Sequence, residues 1–186
     1  MGLGILAIVV TLAVSPALAW AKRQRLEGAV RLLSMELAAA RWGALATGQA
    51  TGLVFRREEN GDIFWVTYRD GDGDGLGSQD LAAGIDYPLG PARSLSRLAP
   101  GVRFGILDAI TVPRLPPQSG ALTRRWDPIK FGSSDMAVFS PLGSATAGSL
   151  YLHDGSNMTA LVVNGVTGRL RLFRFQTDRH HWKEMT

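Results

Sequence analysis

Residues 26–44 read LEGAVRLLSMELAAARWGA. Leu26, Val30, Leu33, Leu37, Ala40 and Ala44 recur at spacings of four and three, the period of one face of an α-helix. Glu27 and Arg31 stand four apart on another face, where opposite charges support a helix. Nothing upstream interrupts this rhythm. Residues 1–21 carry no charged side chain, and residues 3–14 (LGILAIVVTLAV) are almost wholly aliphatic. One helix is therefore expected to run from an apolar segment straight into an amphipathic one. From residue 3 to residue 46 it would be about 65 Å long at about 1.5 Å per residue. Its second half needs a protein surface over the stripe, supplied either by its own domain or by another subunit.

The apolar opening has three readings. Ala17-Leu18-Ala19 fits a signal-cleavage site, although no basic stretch precedes the apolar run. About 20 apolar residues also suffice for a plain membrane span, and Lys22, Arg23 and Arg25 would then mark a cytoplasmic flank. The third reading is an anchor that doubles as an assembly helix, which the unbroken periodicity favours. Pro16 is tolerable inside such a span and should kink it.

With 186 residues, the chain has room for one domain and an appendage. Its net charge of +4 suits an anionic surface but is too small for a dedicated nucleic-acid binder. There is no cysteine, which excludes a disulfide framework, a thiolate metal site and a thiol nucleophile.

Beyond Gly48 and Gly52, which should close the helix, the pattern changes to short β segments between glycines. Residues 53–57 and 63–69 read as strands around the Asn60-Gly61 turn. Residues 81–100 read as loop with at most a short helix. Residues 102–107 are a further strand, and residues 113–128, with four prolines, a long exposed loop. Residues 137–140, 149–153, 159–163 and 169–175 complete a series of hairpins, which implies antiparallel pairing. The expected fold is α+β: a long N-terminal helix, its first half membrane-embedded, packed on a mainly antiparallel sheet of roughly six to eight strands. Residues 1–21 form the membrane part, 22–47 the amphipathic continuation and 48–186 the β-rich domain.

Three segments carry a resemblance: Val138-Phe139-Ser140-Pro141-Leu142-Gly143-Ser144-Ala145, Gly148-Ser149-Leu150-Tyr151-Leu152, and Gly165-Val166-Thr167-Gly168-Arg169-Leu170-Arg171. With residues 36–50 (ELAAARWGALATGQA) as the helix end, their order resembles the GspH/FimT family of minor pseudopilins and minor type IV pilins. The resemblance spans nearly the whole chain and implies a pilin-like fold without enzymatic activity or a required cofactor. It implies a single-pass inner-membrane protein with its β domain in the periplasm, joining a type II secretion pseudopilus or type IV pilus on assembly. Its partners would be other pilin or pseudopilin subunits near the filament tip, met through a helix face carrying Leu26, Val30, Leu33 and Leu37. The family's basic leader and Gly-Phe-Thr-Leu-x-Glu-like cleavage signal do not occur. The expectation is that the start codon was placed downstream of the true one, rather than that the site was lost.

Two constellations carry chemistry. Asp70, Asp72 and Asp74, alternating with glycine, place three carboxylates on one tight loop, a set suited to calcium. With Gly75 they match the opening of an EF-hand loop, but Leu81 stands at the twelfth position and Asp80 falls one residue early. Related pseudopilins include calcium binders, so calcium is the one ion expected here. Arg169 and Arg171 form a Gly-Arg-x-Arg element whose side chains should share one strand face. In FimT-type pilins this element resembles a DNA contact, which makes DNA the alternative and lesser partner. Trp182, Arg174, Arg179, His180, His181, Lys183 and Arg124-Arg125-Trp126 would extend such a surface. No catalytic set emerges, because His153-Asp154 lacks a positioned serine and Ser140, Ser149 and Ser156 lie outside any nucleophile elbow.

Overall fold

A computed structural model describes residues 2–108, 110–123 and 126–185, with side chains from residue 18 onward. The helix α1 runs from Gly2 to Thr47 without a break. It ends where expected: Gly48, at φ +72°, donates its N–H to the Ala44 carbonyl at 3.0 Å, a left-handed cap that glycine enters without steric cost. Gly52 does not take part in that cap and lies within the first strand. Among the described residues no helix is long and apolar enough to cross a membrane. The segment 3–14, the membrane half of the expected fold and the kink at Pro16 lie outside the residues whose side chains are described.

Instead of one sheet there are two, every strand pairing antiparallel to its neighbours. The first sheet holds β1 (Thr51–Arg57), β2 (Ile63–Arg69), β3 (Tyr87–Pro88), β4 (Arg93–Ser94) and β7 (Met136–Phe139), in the order β3-β2-β1-β7 with β4 also on β2. The second holds β5 (Arg103–Phe104), β6 (Ile129–Lys130), β8 (Gly148–His153), β9 (Met158–Val163), β10 (Leu170–Gln176) and β11 (His181–Met185). Its order is β11-β10-β9-β8-β5, with β6 also on β8. The strand expected over residues 102–107 shrinks to the two residues of β5. Two short helices interrupt the strands, α2 (Ser78–Ala83) between β2 and β3 and α3 (Leu95–Leu98) between β4 and β5. The first hairpin forms around the expected turn: Arg57 faces Ile63, and Asn60 Oδ1 accepts the Asp62 N–H at 2.7 Å.

The strand alternation explains how one chain supports two cores. On one face of the second sheet Leu150, Leu152, Leu161 and Val163 meet Leu53, Phe55 and Trp65 of the first sheet, and α1 completes the cluster. On the opposite face Tyr151, Met158, Ala160, Phe173, Phe175 and Trp182 form a second cluster, covered by Ile106 and Val112 before the long loop and by Leu115 and Leu122 within it. Residues one apart on a strand point to opposite faces, so β8, β9 and β10 feed both clusters. The proline-rich loop is thereby the lid of the second core. It is pinned by a bridge between Pro113 and Ala121 and by the Trp182 indole N–H, which donates to the Pro113 carbonyl at 2.8 Å.

Candidate functional site

The aspartate loop follows directly from the end of β2. Asp70, Asp72 and Asp74 each place a carboxylate oxygen within 4.8 Å of the others. Asp80 falls outside that trio, at the start of α2. The three are not equivalent. Asp70 is buried, and its oxygens accept the N–H groups of Asp72 (3.2 Å), Gly73 (2.7 Å) and Gly75 (3.0 Å), so it shapes the loop. Asp72 and Asp74 are exposed. Repulsion from Asp72, and then from Asp80, raises the Asp74 carboxyl above its ordinary value. A buried residue that the sequence reading passed over, Asp86, accepts N–H bonds from Gly71 (3.2 Å) and Gly77 (3.1 Å) and ties the loop's two ends together. A lone acid in GIDYP gives no sequence signal of this role. The donor set is of the type that a hard cation takes.

The arginine element is only partly a free cationic surface. Arg169 precedes β10 and is exposed. Arg171 grips Glu184 of β11 through two bonds, at 2.7 and 2.6 Å. That contact raises the guanidinium's pKa and lowers the carboxylate's. Being solvent-facing, the pair is screened by salt and adds little stability. Arg174 reaches across to Glu27 on α1 at 2.8 Å, and Arg179 sits 3.6 Å from Asp178. His180 occupies a positive-φ turn and His181 opens β11, so the two do not form a metal pair. Trp182, expected as an exposed stacking surface, is buried in the second core. Trp126 is exposed, whereas Arg124 and Arg125 lie outside the described residues.

The helix stripe is inside the molecule. Leu26, Val30, Leu33 and Leu37 are at most 3% exposed and belong to the first core. Their face is covered by the chain's own sheets, and a neighbour would have to use the opposite one. That outer face carries Met35 and Trp42, seven residues apart and 71% and 63% exposed, with exposed Gly28, Arg31, Ala39 and Ala46 on the same side. Residues 18–25 have only Ala21 half-buried, so the helix leaves the domain before Leu26.

The His153-Asp154 pair serves a turn. Asp154 accepts the N–H groups of Ser156 and Asn157, and His153 Nδ1 accepts that of Gly155 at 3.1 Å. Burial, reinforced by Arg103, lowers the His153 pKa.

Compared with known proteins, the chain matches no family model, no curated protein and no solved structure.

Proposed function

We propose that this protein is a minor pseudopilin or minor pilin, a structural subunit held in the inner membrane by α1 and joined to a filament through that helix. The observation that carries the reading is the division of labour along α1. One face of its second half is locked into the β domain, the opposite face presents Met35 and Trp42, and the helix continues beyond the domain toward residue 2. A helix that only stabilised its own domain would not need two large apolar side chains exposed on its outer face or so long an extension. In this reading the β domain is periplasmic, and the filament function requires neither a cofactor nor a reaction.

The absence of cysteine allows a direct test. A single Met35→Cys variant of the full chain, expressed in a host with a secretion pseudopilus or type IV pilus, should cross-link in membranes to another chain with a long N-terminal helix. Leu33→Cys, buried against its own sheets, should not. Loss of the protein from membranes on alkaline wash, or equal cross-linking at both positions, would sink the proposal.

The DNA-capturing alternative rests on Arg169 and Arg171. It loses support because Glu184 already occupies Arg171. It predicts salt-dependent DNA binding that disappears in Arg169→Ala/Arg171→Ala, and undiminished binding by that variant rules out the site.

A further inference from the structure

An open groove of about 730 Å³ runs between the C-terminal half of α1 and the β9–β10 turn. Arg41, Trp42, Thr167, Arg169, Arg171 and Glu184 line it. Arg41 is half-buried, and its guanidinium lies 5.4 Å over the Trp42 ring. Its Nη2 donates to the Thr167 carbonyl at 3.3 Å, while its Nε is buried without an acceptor. Gly168 makes this approach possible, since a Cβ there would stand 3.0 Å from Arg41 Nε and 3.0 Å from the Gly143 carbonyl. Of the three arginines that line the groove, Arg171 is paired with Glu184, while neither Arg41 nor Arg169 has a carboxylate partner among the described residues.

A guanidinium drawn partly out of water without an acid beside it is a cost in the free protein that a docked carboxylate offsets. The planar fork of arginine matches a carboxylate in geometry as well as charge. The surroundings favour a protein ligand over a nucleic acid. A phosphodiester backbone is held by a run of cations, and here the third arginine of the groove, Arg171, is already neutralised by Glu184, leaving two. In their place stands exposed Trp42, and the adjoining turns carry Leu142, next to Gly143, and Val166, next to Thr167, 94% and 83% exposed. An exposed aromatic anchor beside arginines is the composition of a protein–protein contact.

We infer that this groove docks an acidic segment of a partner protein, with carboxylates on Arg41 and Arg169 and an apolar side chain against Trp42. The inference does not depend on the filament reading, because it concerns the chemistry of the segment and not the machine that presents it.

The test is fluorescence anisotropy of the full chain in neutral detergent at low salt. The probes are a labelled peptide of alternating glutamate and leucine, its lysine–leucine counterpart and a labelled oligothymidylate of equal length. The glutamate peptide should bind saturably. Arg169→Gln, an exposed position that leaves the fold intact, should weaken it about tenfold, as should Arg41→Gln, and Trp42→Ala by about threefold or more. The other two probes should bind at least about tenfold more weakly. Unchanged affinity in Arg169→Gln, absence of saturable peptide binding, or oligothymidylate binding as tight as the peptide would overturn the inference. The last result would assign the groove to nucleic acid. Failure of the cross-linking test above leaves these outcomes unaffected, so the two readings fail separately.

Discussion

Gly52 sits where β1 passes β7 with no room for a side chain: a Cβ would lie 2.7 Å from the Ala137 carbonyl oxygen and 2.8 Å from Val138 Cα. Both neighbours are backbone and cannot rotate away, so Gly52→Ala should destabilise the domain by about 1–3 kcal/mol, measured by urea unfolding. Asp70 shows a different kind of necessity. Three N–H groups converge on its buried carboxylate, and Asp70→Ala would leave them unsatisfied at about 1–3 kcal/mol. Asp72 and Asp74 can be removed with those bonds in place, which separates ion binding from loop structure. A rise in Tm on adding calcium that vanishes in Asp72→Ala/Asp74→Ala assigns the ion to the loop, and a rise that persists dismisses it. His153 sets an acid sensitivity. Burial and Arg103 lower its folded pKa below the ordinary 6.5, so the unfolded chain takes up the proton more readily. This contribution to stability is complete above the unfolded pKa and is lost as pH falls through it toward the folded value. Tm should therefore decline less steeply between about pH 7 and 5 in His153→Gln than in the parent chain.

Among the elements, α1 has two faces with opposite expectations. Leu37 is fully buried, and Leu37→Ala should cost about 2–5 kcal/mol through lost burial and a residual cavity. Met35→Ala, two residues away on the exposed face, should leave the urea midpoint almost unchanged while altering any contact made by that face. The stripe at positions 26, 30, 33 and 37 was legible in the sequence because its spacing reports a helix face. Which surface covers it was not legible, because periodicity is the same for a helix packed on its own sheet and one packed on a neighbour. The element that sequence conceals most is β11. Its five residues, HWKEM, are mostly polar and carry one buried anchor, Trp182, so neither alternation nor β-branching marks them. Trp182→Phe would keep the ring in the core but release the Pro113 carbonyl. It should destabilise by about 1 kcal/mol and speed amide exchange in the 113–122 loop.

At the scale of the whole molecule, the second sheet is a shared wall, with α1 and the first sheet on one side and the proline-rich loop on the other. This arrangement gives the loop a reason to be long, since it has to span a hydrophobic face that a single-sheet domain would expose. The sequence by itself determined the helix with its end at Gly48, the β1–β2, β8–β9 and β9–β10 hairpins with their antiparallel sense, and the aspartate trio on one loop. These rest on local physics: side-chain period, turn chemistry and neighbours a few residues apart. By contrast β7, expected to pair with β8, instead joins β1 in the other sheet. Only the tertiary structure decided that the strands divide into two sheets, that the helix stripe is internal, and that Glu184 neutralises Arg171. It alone brought Arg41 and Trp42, about 130 residues upstream in the chain, beside Arg169. Those contacts join residues far apart in sequence, and whether an arginine has an acid beside it depends on which distant strand folds against it.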